Sequence, residues 1–130
     1  MKILEEAKLN FKKNNIKLNF FENTKDFYEY INNFIKPNSV VGVGDSVSFE
    51  ELEFYDYLRN SHVKFLDKYS KDLTKEQKKA LYIQNFNADI FFSGVNALSS
   101  EGKIYNLDGN GSRVAPIIYG PKKVFLVCGV

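Results

Sequence analysis

The sequence predicts an α/β fold: a three-layer sandwich with a mostly parallel central sheet and one antiparallel hairpin. Short β-branched and aromatic runs alternate with amphipathic segments of about 12 residues, a pattern that favours parallel strands joined by right-handed crossovers. Capping signals and glycine turns separate these segments. A chain of 130 residues with 44% hydrophobic content can also bury one core. We therefore expect residues 1–130 to form a single domain.

The first part of the chain predicts two helices with a strand between them. Apolar residues recur at helical spacing over residues 2–14. The segment IKLNFF at 16–21 alternates apolar and polar side chains, which predicts a strand. Asn23 or Thr24 then caps a second amphipathic helix, which ends before Pro37 because proline cannot continue a helix.

A strand, a glycine turn and a helix come next. The run VVGV at 40–43 predicts a strand, and glycine ends it. Ser48, with Glu51 three residues later, predicts a capping box at the start of the following helix. The segment HVKFLD at 62–67 predicts a further, buried strand.

The last part of the chain predicts one helix, a hairpin and two strands. Thr74 and Gln77 form a capping box for a helix that ends near Phe86. The other elements follow in order: a strand ADIFFSG at 88–94, hairpin arms around 95–98 and 103–107 that turn at Glu101-Gly102, and a strand KKVFLVCGV at 122–130. Cys128 is expected to be buried in that last strand.

Composition limits the class of protein. Lysine and arginine number 18 against 16 acidic residues, and no basic run marks a nucleic-acid surface. A single cysteine excludes a disulfide framework and any cysteine-based zinc or iron–sulfur site held by this chain alone. The N-terminal residues form neither a signal peptide nor a membrane span. We therefore expect a cytoplasmic protein with no nucleic-acid or membrane partner, no metal and no cofactor.

The first candidate site is the turn Gly44-Asp45-Ser46. In parallel sheets ligands bind beyond the carboxyl ends of the strands, where this turn, Gly94 and Asn96 are expected to meet. Backbone amides after Gly44 suit a phosphate or carboxylate. Asp45 either caps the helix or hydrogen-bonds a hydroxyl or cationic part of the ligand. The alternative is a tight turn with Ser46 or Ser48 as the helix cap.

The same turn has part of a dinucleotide-binding fingerprint. Gly42 and Gly44 follow a strand, and Asp67 ends the next strand, where a ribose-binding acid would lie. Val47 takes the place of the third glycine, whose role is to permit close approach of the helix. The sequence therefore disfavours NAD binding.

The second candidate site is DGNGSRV at 108–114. Glycines alternating with Asp and Asn allow left-handed backbone, in which successive amides form an anion-binding nest. We assign backbone contacts to Gly44, Gly109 and Gly111. Arg113 is expected to pair with the ligand's charge, and Asn96 and Asp108 to orient the ligand. The alternative is an ordinary turn in which Arg113 pairs with Asp108.

The C-terminal third resembles the LUD-domain family of lactate-utilisation proteins, which includes the LutC subunit. The motifs GVNAL, EG, DGNGSRV and GPKKV carry the likeness, together with VGVGDSVSFEEL earlier, so that it is specific from about residue 39 to 130. Ser112 stands where the pattern has Asn. The family continues beyond the final glycine-valine, so the chain is expected to lack the C-terminal segment of its relatives.

The resemblance implies a fold similar to the ribose-5-phosphate isomerase and CoA-transferase-like group and a cytoplasmic bacterial protein. It identifies no catalytic residue, so whether the chain is an enzyme stays open. The matched positions are Gly44, Asp45, Ser46, Gly94, Asn96, Ala97, Asp108, Gly109, Gly111, Arg113, Gly120 and Pro121. The leading function is binding of an anionic small metabolite at the carboxyl edge. The alternative is a non-catalytic assembly subunit of an iron–sulfur lactate-oxidising complex, and completion of the site by a second copy also stays open.

Overall fold

A four-stranded parallel sheet forms the centre of the protein in the computed structural model, which describes residues 2–129. The elements follow in the order α1 (Lys2–Lys13), α2 (Thr24–Asn32), β1 (Val40–Val43), α3 (Val47–Glu51), α4 (Phe54–Arg59), β2 (Lys64–Phe65), α5 (Lys75–Gln84), a 3₁₀ turn (Asn85–Asn87), β3 (Ile90–Gly94), β4 (Ala97–Leu98), β5 (Ile104–Tyr105), α6 (Val114–Ile118) and β6 (Lys123–Val127).

The strands lie in the order β2-β1-β3-β6, all parallel, and β4 pairs with β5 in a separate antiparallel hairpin. The register aligns Val43 with Phe92 and Gly94 with Val127, so the carboxyl ends of β1, β3 and β6 meet at one edge. The predicted fold class, a mostly parallel α/β sandwich with one antiparallel excursion, is confirmed. The hairpin turns at Gly102, whose φ of 86° lies in the left-handed region that glycine adopts readily.

Aromatic side chains fill the layer between the sheet and helices α2 to α4. Phe49 and Phe54 stack with ring centroids 4.9 Å apart, and Phe92 of the sheet meets Phe54 edge to face at 4.7 Å. Phe125 of β6 stacks on Phe92 at 5.2 Å. These rings bury large apolar areas in favourable relative orientations, so they account for much of this core.

On the opposite face of the sheet, the 3₁₀ turn packs very close to the strands. Phe91 and Ser93 alternate with Phe92 along β3 and are fully buried. A Cβ added at Gly42 would lie 2.1 Å from the Oδ1 atom of buried Asn85, so glycine lets the 3₁₀ turn pack directly on β1. Helix α1 is tied to the hairpin because Asn10 and Asn14 donate to the carbonyls of Ser100 and Gly102, at 2.8 and 3.0 Å.

The predicted strand at 16–21 is wrong. These residues are extended but pair with no strand. Phe21 packs against the rings of Phe27 and Tyr30 in α2, at 6.0 and 5.4 Å. Phe21 therefore packs on a helix rather than in a sheet, and the alternation of apolar and polar residues alone does not distinguish the two.

Two burial predictions are also wrong. The strand expected at 62–67 is only Lys64–Phe65, and Lys64 is exposed because β2 is an edge strand. Cys128 is exposed because β6 ends at Val127. The helix signals did better: Asn23 caps α2, and Thr74 with Gln77 forms the complete capping box of α5.

Candidate functional site at the carboxyl edge of the sheet

The turn after β1 begins the candidate site. The amide of Gly44 donates to the carbonyl of Phe92 at 2.7 Å, which ties the turn to β3. Ser46 caps α3, with its hydroxyl accepting from the amide of Phe49 at 3.4 Å. The predicted capping box of Ser48 with Glu51 is therefore wrong, and Asp45 does not serve as the cap.

Gly44 and Gly94 lie where neighbouring parts of the chain come very close. A Cβ at Gly44 would lie 2.7 Å from Cγ of Arg113 and 2.8 Å from Oγ of Ser93. A Cβ at Gly94 would lie 2.7 Å from Oγ of Ser46. Real Cβ contacts are not this short, so both positions require glycine for packing, whatever their role toward a ligand.

Arg113 joins the segments of the edge. Its Nη1 donates to the carbonyl of Gly94 at 3.0 Å and to Oδ1 of Asn106 at 2.6 Å. Its Nη2 donates to Oδ1 of Asn96 and to the carbonyl of Leu107, both at 3.0 Å. Four neutral oxygens thus hold the guanidinium, and its stem lies against Gly44. The Arg113 side chain does not form an ion pair with Asp108, so that alternative is wrong.

Asp108 instead organises the backbone of its own loop. Its Oδ2 accepts from the amides of Arg113 and Val114 at 2.8 and 3.1 Å. Asn110 likewise accepts from the amide of Ser112 at 3.0 Å. Side chains of the loop therefore occupy the amides of Ser112, Arg113 and Val114, which the nest would otherwise offer to an anion. Gly111 has the expected left-handed φ of 79°.

These contacts perturb the Asp108 carboxyl. Burial acts to raise its pKa, but hydrogen bonds from the amides of Val114, Arg113 and Asn110, with the nearby guanidinium of Arg113, hold the pKa below its ordinary value. Asp108 is therefore a carboxylate at neutral pH, and it fixes the loop that delivers Arg113 to the edge.

The structure adds Lys68, Tyr69 and Tyr55, which no motif in the sequence marks as site residues. Lys68 lies beyond the end of β2, with its ammonium 2.9 Å from Oδ1 of Asp45. The hydroxyl of Tyr69 bonds the same Oδ1 atom, and the hydroxyls of Tyr55 and Tyr69 are 3.4 Å apart. The available signal was position: Lys68 directly follows Asp67 at a predicted strand end, where sites on parallel sheets gather.

The pKa values of Asp45 and Tyr69 shift in opposite directions. Burial acts to raise the pKa of Asp45, but hydrogen bonds from Tyr69 and Lys68 and the charge of Lys68 hold it below its ordinary value. Burial, and then the hydrogen bond to Asp45, raise the pKa of the Tyr69 hydroxyl. At neutral pH the cluster therefore contains a carboxylate and a protonated phenol.

The dinucleotide hypothesis receives no support from this geometry. Asp67, which would have met a ribose, accepts from Nε of Arg59 at 2.7 Å. Val47, in the place of the third glycine, is 70% exposed at the start of a five-residue helix. The Val47 side chain therefore does not lie between the helix and the strand, where it was expected to obstruct their close approach.

The nine predicted site residues thus fall on one edge of the sheet and the loops above it, and their role in ligand binding stays a prediction. The family model of the LUD domain matches residues 4–130. The chain belongs to the LUD-domain family. A search of curated proteins and a search of solved structures find no match to this LUD domain.

Other features of this LUD domain lie away from that edge. Two open grooves of about 510 and 550 Å³ flank the segment from α2 to β1, with Lys36 and Pro37 lining both.

None of the helices in residues 2–129 has the length and apolarity needed to cross a bilayer. Over the same residues, no three histidine, cysteine, aspartate or glutamate side chains gather in a group that could hold a metal ion.

Proposed function

We propose that this LUD domain binds an anionic small metabolite at the carboxyl edge of its sheet, with Arg113 supplying the positive charge. One observation carries the proposal: the guanidinium is hydrogen-bonded to four neutral oxygens, none of them a carboxylate, at the point where the Gly44 turn and Gly94 meet. A held cation of this kind attracts an anion without first breaking an ion pair.

The mode of anion contact differs from the one the sequence suggested. Because the terminal nitrogens of Arg113 already donate to protein oxygens, the guanidinium acts chiefly through its charge rather than as a two-pronged grip. The amides at 112–114 are engaged by Asn110 and Asp108, so backbone contacts would come from other amides, near Gly44, Gly109 and Gly111. Asn96, which is exposed, retains its amide NH₂ group for orienting a ligand.

The test begins with a thermal-shift screen of phosphorylated sugars, CoA, nucleotides, hydroxy acids and inorganic phosphate, since a ligand that binds only the folded state stabilises it by an amount that grows with the logarithm of the ligand concentration over the Kd. Calorimetry of any binder then compares wild type with Arg113→Gln. Loss of one nearby charge should weaken binding by about 1 to 3 kcal/mol, roughly 5- to 150-fold.

Lys64→Gln is the matched control, because Lys64 begins β2 at the opposite end of the strands and is exposed. It removes the same charge, and binding should be unchanged. Arg113→Lys keeps the charge but loses the planar set of hydrogen bonds, so it should bind with intermediate affinity. Equal affinity in wild type and Arg113→Gln would count against the anion site.

A second candidate function is docking in an oxidoreductase complex, as the resemblance to lactate-utilisation proteins suggests. The observation that favours it is apolar exposure near the same loops: Leu107 is 85% exposed and Ile118 is 77% exposed. An exposed apolar side chain gains free energy when a partner protein covers it. Copurification of iron–sulfur subunits with wild type, and its loss in Leu107→Ser with Ile118→Ser, would favour this candidate. Retained copurification in the double variant would argue against it.

A further inference from the structure

A buried lysine lies next to the proposed anion site. The side chain of Lys68 is only 4% exposed, and its ammonium contacts Oδ1 of Asp45 at 2.9 Å. The rings of Tyr69 and Tyr82 lie 5.3 and 5.6 Å from the ammonium, as in cation–π contacts. An ammonium removed from water in this way is costly unless it is paired, so the position of Asp45 and that of Lys68 are coupled.

The two side chains of this ion pair differ in exposure to solvent, and the difference indicates the role of the pair. The side chain of Asp45 is 71% exposed, whereas Lys68 is buried. A buried ion pair adds little net stability compared with apolar side chains of similar volume. A methionine in place of Lys68 would fill the same space, so stability alone does not account for the charge. Holding an exposed carboxylate in one orientation does account for it.

That orientation is well defined. The ammonium of Lys68 and the hydroxyl of Tyr69 both bond Oδ1 of Asp45. Oδ2 keeps its capacity to accept hydrogen bonds. The carbonyl of Asp45 lies 3.5 Å from the Cβ position at Gly94, and the carbonyl of Gly94 accepts from Arg113. Asp45 and Arg113 therefore belong to one continuous rim.

We propose that Oδ2 of Asp45 accepts a hydrogen bond from a hydroxyl group of the ligand, and that Lys68 is the positioning residue for that carboxylate. The inference rests on the proposed anion site and names the ligand class more narrowly: an anion that carries a hydroxyl. A hydroxyl is favoured over an ammonium because the charge of Asp45 is already paired with the ammonium of Lys68, which lies 2.9 Å away and would repel a second cation. Tyr69 shares the task of fixing Oδ1.

Two probes that differ in their hydroxyls test this. Glycerol 1-phosphate and n-propyl phosphate share the phosphate ester and the three-carbon chain, but only the first carries hydroxyls. Calorimetry on the folded wild-type chain should give about tenfold tighter binding of glycerol 1-phosphate, the effect of one charge-assisted hydrogen bond. Asp45→Asn and Lys68→Met should reduce that preference to less than about threefold. Arg113→Gln should weaken both probes alike and leave the preference.

Tyr69→Phe is the second variant, since it removes only a hydroxyl from a ring that is 36% exposed and should keep the fold. It should lower the preference part of the way. A preference unchanged in Asp45→Asn and Lys68→Met would overturn the inference while leaving the anion site intact. Absence of binding by either phosphate would instead overturn the proposed function for phosphate esters, and the inference with it.

A measurement without ligand checks the positioning role. Carbon-13 NMR titration of the Asp45 carboxyl should give a pKa below the ordinary value near 4 in wild type, as expected for a carboxylate beside an ammonium. The pKa should rise toward the ordinary value in Lys68→Met and stay low in the control Lys64→Met. An Asp45 pKa that is the same in wild type and Lys68→Met would show that Lys68 does not hold the carboxylate.

Discussion

Replacing Gly44 by alanine tests whether the edge of the sheet depends on close packing. The added Cβ would lie 2.7 Å from Cγ of Arg113, 3.0 Å from its Cδ and 2.8 Å from Oγ of Ser93. Arg113 cannot swing away freely, because four hydrogen bonds hold the far end of its side chain. Ser93 is fully buried in β3 and has little room to move.

The expected loss of stability combines two opposing effects. Overpacking of this kind costs about 1 to 3 kcal/mol. Alanine also restricts the unfolded chain, which favours folding by about 0.4 to 1 kcal/mol. The net loss should be about 1 to 2 kcal/mol, which for a domain of this size lowers the Tm by roughly 3 to 5 °C per kcal/mol.

Urea denaturation with Gly109→Ala as the control provides the assay. Nothing lies within 4 Å of a Cβ at Gly109, so that variant should be as stable as wild type or slightly more stable. In an Arg113→Ala background, Gly44→Ala should cost about 1 kcal/mol less than in wild type, because its main obstacle is gone. Equal stability of Gly44→Ala and Gly109→Ala, or additivity in the double variant, would refute the steric account.

Three further predictions concern the rest of the fold. Gly120→Ala should lower the free energy of unfolding by about 2 to 4 kcal/mol, measured by urea denaturation, because φ is 121° and the Cβ would lie 2.3 Å from the carbonyl oxygen of Phe86. Thr74→Ala should cost about 1 kcal/mol by breaking the capping box of α5, whereas Thr74→Ser should retain most of it; an equal loss in both would point to the methyl group instead. Asp108→Asn should flatten the fall in stability below about pH 4, since a pKa lowered on folding gives stability that is present above the unfolded value and lost as pH falls through the folded value. Urea midpoints between about pH 2.5 and 6 check this, and an unchanged pH slope would show that folding does not lower the pKa of Asp108.

Local signals explain how much of the fold could be predicted from sequence. The caps at Asn23 and Thr74 depend on side chains that bond amides only three residues away. The strands around 40–43 and 88–94 are short apolar runs ended by glycine, and the structure contains both. Local signals fail where two are available side by side: Ser46 and Ser48 are both suitable helix caps, and only the path of the chain after β1 selects Ser46 and places Ser48 inside α3.

The candidate site, too, could be predicted from the sequence only in part. The sequence by itself determined which residue types gather at the carboxyl ends of the strands, because parallel topology sends every such end to one edge. Only the tertiary structure decided what they contact. Arg113 meets oxygens from Gly94, Asn96 and Leu107, and Lys68 meets Asp45 across 23 positions of sequence. Contacts between residues so far apart in sequence depend on how the layers pack and on which atoms have room. Local sequence patterns contain no information about such contacts.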